Sequence, residues 1–166
     1  ADLADRFQKA GTTLVTGAGI PGIADSLAAH EAARVDDETS IDIAWTVAGT
    51  PLRSGEAIPF PDPVGARWGR IVERIDGSSP IVTRVEVPVQ SEWSAAMARV
   101  AAGKERSRVI GVADLGVHLE AIALAAGALA VAEGSFPPGV WKPAEAAPAF
   151  LRAALGVGME VASYTA

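Results

Sequence analysis

Three glycines stand at positions that could hold a phosphate group. Gly17, Gly19 and Gly22 fit the pattern G-x-G-x-x-G, and they lie between an apolar stretch and a segment of helical character. Such a turn lets the backbone approach a pyrophosphate, and the helix that follows presents unpaired N–H groups to it. The spacing therefore favours a dinucleotide-binding turn as one interpretation.

Two features of the same region favour a second interpretation. Pro21 stands directly before the third glycine, and proline has no N–H to donate to a phosphate. The acidic residues 36–38 precede the next predicted strand, whereas a dinucleotide fold needs an acidic residue at the end of that strand. The alternative interpretation is that the turn binds no ligand and simply joins a strand tightly to a helix. Pro21 would then lie in the first helical turn, where proline is favoured.

Three further side chains are candidates for acid–base chemistry or substrate contact. Asp62 lies between two prolines in FPDPVG, where a rigid loop could present its carboxylate, although it could equally bond its own turn. His118 could transfer a proton, with ordinary packing as the alternative. Asp25 lies near the start of the helix after the glycine turn, where the helix dipole favours a carboxylate. We take Asp62 and His118 as catalytic candidates.

The composition excludes several kinds of site and partner. The chain has no cysteine and two histidines, so a thiolate nucleophile and a histidine-rich zinc site cannot be built, and we predict no metal. The net charge is −6 and there is no basic stripe, so we expect neither nucleic acid nor an anionic membrane as partner. The apolar stretch 121–132 is shorter than the roughly 20 residues of a membrane span. The absence of cysteine fits a reducing compartment, and we expect the cytoplasm.

Periodicity predicts one α+β domain over residues 1–166, with a mixed, largely antiparallel sheet covered by helices. The proline-rich segments 50–69 and 135–146 are predicted to be irregular, and the longest helix is apolar nearly all round and should be buried. Strands 67–75 and 80–89 should pair antiparallel across a DGSS turn. The predicted helices span residues 1–10, 23–35, 91–103, 113–134 and 147–158, and the predicted strands span 12–16, 40–49, 67–75, 80–89, 107–112 and 159–164.

Several of these segments resemble the saccharopine dehydrogenase-like family. The stretches AGTTLVTGAGIPGIADSLAAHEA, SIDIAWTVAG and FPDPVG, and the segment 118–162, resemble the region that follows the nucleotide-binding domain in saccharopine reductase-type proteins. The resemblance covers most of the chain through short motifs. The chain departs from the family's pattern at one point. Ile20 is followed directly by Pro21, whereas the family's turn usually has one more residue between the apolar position and Pro-Gly.

The resemblance implies a function for the chain. In that family an N-terminal Rossmann domain binds NAD(P), and a second domain carries the substrate and dimer surfaces. The chain would then be the substrate-binding and dimerisation domain of an oxidoreductase, a homodimer that acts on a small amino-acid-like molecule. Gly19, Pro21, Gly22 and Asp25 would border the cleft between domains. NAD(P) would be bound mainly by a nucleotide-binding domain outside these residues, and this domain alone should be inactive.

Two alternatives remain open at this point. The chain could be a small dinucleotide-binding domain that uses Gly17, Gly19 and Gly22. It could also be a non-catalytic dimerisation module in which alternating strands form a sheet shared between two copies, with the alanine-rich helix behind them.

Overall fold

The computed structural model describes residues 2–77, 79–103 and 106–165, which form helices and two β-sheets. The α-helices of this part are α1 (Leu3–Lys9), α2 (Ile20–Ala32), α3 (Gly116–Ala132) and α4 (Ala147–Gly156), and a 3₁₀ turn, Pro143–Ala146, precedes α4. The strands are β1 (Thr13–Val15), β2 (Glu38–Ala48), β3 (Glu56–Pro59), β4 (Ala66–Ile75), β5 (Ile81–Val89), β6 (Trp93–Ala102), β7 (Arg106–Leu115), β8 (Gly139–Trp141) and β9 (Ala162–Thr165).

The main sheet has seven strands in the order β3-β4-β5-β2-β6-β7-β9. Strand β2 runs parallel to β5 and antiparallel to β6, and the other neighbours pair antiparallel. The predicted α+β class with a mixed, largely antiparallel sheet is therefore confirmed, as is the antiparallel pairing of β4 with β5. The central position belongs to β2, which pairs along both edges.

The two faces of the sheet bury different cores because side chains alternate along each strand. Ile43 and Trp45 of β2 point to the face covered by α2, α3 and α4, where Phe150 is fully buried. Ala44 points to the opposite face, which the curl of the sheet closes by bringing β3 and the following turn over it. Phe60 and Val64 fill this second core.

Strand β1 does not join the main sheet. It pairs parallel with β8, so that Thr13, Leu14 and Val15 lie opposite residues 139–141. Helix α1 packs on this small sheet, and the glycine turn leads from β1 into α2. The turn is therefore held between the two-stranded sheet and the helix layer of the main sheet.

Several predicted elements were wrong in type or extent. The segment predicted as a helix over 91–103 is strand β6, and residues 113–115, predicted to begin the longest helix, end strand β7. The segment 50–69, predicted to be irregular, contains β3 and the start of β4. The connection 135–146 contains β8 and the 3₁₀ turn. Helix α2 begins at Ile20 and ends at Ala32, earlier than predicted at both ends.

Helix α3 is buried on one side only, which corrects the prediction that it is buried all round. Leu119, Ile122 and Ala126 are buried in the core beneath the helix. Val117 and Leu124 are 82% and 63% exposed on its outer side. The helix therefore presents large apolar side chains to solvent on its outer side.

Candidate functional site

The glycine turn is built by close contacts of the chain with itself. Gly17 has φ of +70°, a conformation that glycine adopts without strain. A Cβ placed on Gly22 would lie 2.1 Å from the carbonyl oxygen of Gly17 and 3.2 Å from Pro143. Pro21 stands in the first turn of α2, as the second interpretation of this segment predicts. Backbone conformation therefore explains Gly17, and packing explains Gly22.

The N-terminus of α2 faces a carboxylate of the chain itself. Gly19 is the N-cap residue, and the N–H of Ile20 donates to Oε1 of Glu120 at 3.4 Å, a long hydrogen bond. A Cβ on Gly19 would lie 2.8 Å from Oε2 of the same side chain. Because the positive end of the helix dipole attracts anions, Glu120 occupies the position that a phosphate would take.

The topology around the turn also differs from that of a dinucleotide fold. In such a fold the strand before the turn lies inside a parallel sheet, and the ligand binds at the carboxyl ends of its strands. Here β1 has β8 as its partner, outside the seven-stranded sheet. The dinucleotide interpretation of Gly17, Gly19 and Gly22 receives no support from this arrangement.

A cavity of about 770 Å³ lies beside the turn. It opens where the end of β2, the start of β6 and the first turns of α2 and α3 meet, and Pro21 borders it. We call it the α2–α3 cavity. Its lining is mainly apolar, as ligand cavities usually are. Its polar groups come from Thr46, Ser91, Glu92, Ser94 and Glu120.

A smaller cavity of about 220 Å³ lies on the other side of Pro21. Gly17, Gly22 and Asp25 line it together with Lys142. The structure thus brings Pro21, Gly22 and Asp25, three of the four predicted cleft residues, around one small space. The fourth, Gly19, lies against Glu120 as described above.

The carboxylate of Asp25 is held by an arginine from the sheet. Nε of Arg84, on β5, donates to Oδ1 of Asp25 at 3.1 Å, and the Nη1 group of Arg84 contacts Glu73 on β4. Desolvation by burial opposes the charge of Arg84, but the attraction of Asp25 and Glu73 outweighs it and raises the pKa of Arg84. This arginine therefore stays charged and ties α2 to two strands.

The two catalytic candidates lie outside the α2–α3 cavity. His118 is exposed in the first turn of α3, and its Nδ1 lies 2.5 Å from Oδ2 of Asp114, at the end of β7. Asp62 is exposed in the turn between β3 and β4, on the side of the sheet opposite the helices. The structure therefore does not bring Asp62 and His118 together with each other or with the glycine turn.

No protein-family model matches the chain. No curated protein matches it significantly either. Within the described residues there is no group of three or more histidines and carboxylates placed to hold a metal ion. No helix in the same residues is long and apolar enough to cross a membrane.

The polar residues of the α2–α3 cavity were not predicted from the sequence. Ser91, Glu92 and Ser94 belong to a segment that was predicted to be helical. Their actual position, around the start of strand β6, was therefore not expected. Glu120 did carry a signal, because it is the one Asp, Glu, Lys or Arg between Gly116 and Ala132. A single carboxylate on an apolar helix indicates a specific partner, but spacing alone does not identify that partner as the glycine turn.

Proposed function

We propose that this chain is the substrate-binding and dimerisation domain of an NAD(P)-dependent oxidoreductase related to saccharopine dehydrogenase, acting in the cytoplasm on a small amino-acid-like molecule. The observation that carries the proposal is the α2–α3 cavity of about 770 Å³. Pro21 borders it, and the resemblance assigns this Pro-Gly turn to the cleft between the substrate and nucleotide-binding domains.

The lining of the cavity suits a small molecule with both apolar and polar parts. Trp45 and Leu124 supply apolar surface, while the carboxylates of Glu92 and Glu120 can accept hydrogen bonds from an amino group. NAD(P), held by another domain, would supply the hydride chemistry, and this chain would bind and orient the substrate.

The exposed apolar side of α3 continues from the cavity, since Val117, Ala121 and Leu124 line it. We assign this surface to contact with the nucleotide-binding domain, which would close the cavity on its open side. The dimer surface would then lie elsewhere, and strand β4, with four exposed large apolar residues, is our candidate.

A substrate screen tests the proposal. Saturation-transfer NMR of the purified chain with amino acids and their keto-acid counterparts should detect weak binders. Ala121→Trp should remove binding because Ala121 lines the cavity. Ala128→Trp is the matched control, since Ala128 is exposed two turns further along the same helix and does not line the cavity. Equal binding by both variants would show that the ligands bind elsewhere.

Titration with NADPH separates this proposal from the dinucleotide alternative. The proposal expects no micromolar binding of NADPH by this chain and no turnover. The alternative expects micromolar binding at the glycine turn, and Glu120→Gln should strengthen it because a carboxylate at the phosphate position is removed. Micromolar binding that responds to Glu120→Gln in this way would overturn the proposal.

A further inference from the structure

Three arginines gather at the end of the sheet away from the α2–α3 cavity. Arg106 and Arg108 lie two residues apart on β7 and therefore on the same face of the strand. Arg34 follows the C-terminus of α2. Together they line a cavity of about 300 Å³, whose apolar surface includes Val100 and Ala102 of β6. We call it the arginine cavity. It stands out in a chain whose net charge is −6.

A buried carboxylate orients one of these arginines. The side chain of Glu31, on the last turn of α2, is 2% exposed, and its Oε2 accepts a hydrogen bond from Nε of Arg108 at 2.6 Å. The Nη1 group of Arg34 lies 3.5 Å from Oε1 of Glu31. A guanidinium carries five N–H donors, so one contact to Glu31 fixes Arg108 and leaves its other donors for a further acceptor.

The three guanidinium groups carry more positive charge than is needed to neutralise the carboxylate of Glu31. One guanidinium neutralises one carboxylate, and Arg108 does so at short distance. Arg106 forms no ion pair with any of the described residues. Among the described residues, Asp36 also lines the cavity, so three guanidinium groups lie near the carboxylates of Glu31 and Asp36.

We propose that the arginine cavity binds the phosphate group of a small soluble molecule. Guanidinium groups match the geometry of phosphate oxygens and donate two hydrogen bonds at once. The cavity is large enough for a phosphate with a short organic part, and its mixed lining offers apolar surface to that part. The proposal is independent of the function proposed above, because the two cavities share no residue.

NMR titration with inorganic phosphate and with glycerol 3-phosphate tests the proposal. Both should shift the side-chain Nε–Hε signals of Arg106 and Arg108 and the amide signal of Thr165, which lines the cavity. Sodium chloride at matched ionic strength should not. Arg106→Gln should weaken binding at least about tenfold, the loss of one charged hydrogen-bonding partner. This variant leaves the contacts of Glu31 in place, so the fold should be kept.

Arg70→Gln is the matched control. Arg70 is an exposed arginine on β4 that lies 3.6 Å from Glu86 and lines no part of the cavity. It should bind both phosphates as the unchanged chain does. Shifts that chloride reproduces, or that survive Arg106→Gln, would overturn the proposal and leave the cluster as a structural ion-pair network. Sedimentation with phosphatidic acid vesicles, without any response to the soluble phosphates, would also overturn it.

Discussion

At the scale of single residues, the glycines of the turn are explained by backbone conformation and packing. Gly22 permits the carbonyl of Gly17 to approach α2, Gly17 supplies a positive φ, and Gly19 leaves room for Glu120. A pattern that resembles a phosphate-binding signature is thus accounted for by contacts within the chain. Each of these features predicts how a substitution at that glycine should change the free energy of unfolding.

Gly22→Ala should destabilise the protein strongly. The new methyl group would lie 2.1 Å from a backbone oxygen, so either the turn or α2 must move. Overpacking of this kind costs about 1–3 kcal/mol or more. Urea denaturation monitored by circular dichroism measures the change in the free energy of unfolding.

Gly156→Ala is the control for that substitution. Gly156 ends α4, and a Cβ there meets no atom within 4 Å. Alanine should leave stability unchanged or raise it by about 0.4–1 kcal/mol, because it restricts the unfolded chain. Similar losses in both variants would show that the Gly17 contact does not decide the outcome.

Arg84→Met should cost about 1–2 kcal/mol, since Asp25 and Glu73 lose a shared, partly buried partner. Thermal unfolding measures the loss. Arg74→Met provides the comparison, because Arg74 pairs with Asp76 and both are at least half exposed. Exposed pairs contribute about 0–1 kcal/mol. Equal losses of stability in the two variants would show that the contacts of Arg84 between α2 and the sheet contribute no more than an exposed ion pair does.

At the scale of elements, β6 shows where local sequence misleads. Its alanines favour helix, and residues on both faces are apolar, so the alternation typical of a strand is invisible. In the structure Ala96 and Ala98 face the helices, while Ala95 and Met97 face the second core. Pairing with β2 and β7 on both edges overrides the helical preference. By contrast, β2 was predicted correctly because its polar residues still mark a period of two.

Part of the outer edge of β4 is unpaired, and this stretch is where we place the contact between the two copies of the proposed dimer. Strand β3 pairs with residues 66–69 only, so within the described residues the edge from Arg70 to Ile75 has no partner strand. Ile71, Val72 and Ile75 on this stretch are 44–47% exposed. We expect two copies to pair along it, which would extend the sheet across a two-fold axis.

Val72→Lys should convert the proposed dimer into a monomer, since lysine on an edge strand opposes pairing. Sedimentation equilibrium measures the change in mass. Leu155→Lys, at an equally exposed site on α4, should leave the dimer intact. An unchanged chain that sediments as a monomer, or a dimer that survives Val72→Lys, would contradict this assignment.

At the scale of the whole molecule, the class and the mixed sheet could be predicted, but the sites could not. Periodicity and turn residues are local, and they identified β2, β4, β5 and α4. The α2–α3 cavity depends on the meeting of segments near residues 20, 46, 92 and 120, which only the sheet order brings together. No local pattern in this chain specifies that β2 pairs with both β5 and β6.

The rate of amide hydrogen exchange should be lowest in the central strand of the sheet and higher in its edge strand β9. Amides of β2, which is flanked on both edges, should exchange only through global unfolding. Amides of β9, a four-residue edge strand whose side chains are all exposed, should exchange through local opening and therefore faster. Exchange measured by mass spectrometry would contradict the sheet order if β9 were protected as well as β2.

The two-stranded sheet of β1 and β8 has a consequence for how the protein is made. Thr13 leaves the ribosome well before its partner Gly139 is synthesised. Pro143, which packs against Gly22, follows later still. Domains form as the chain emerges from its N-terminus, and pairings distant in sequence form slowly. The glycine turn therefore lacks these supporting contacts until Gly139 and Pro143 have been synthesised, and the edge of the α2–α3 cavity formed by Pro21 takes its final shape only after that point.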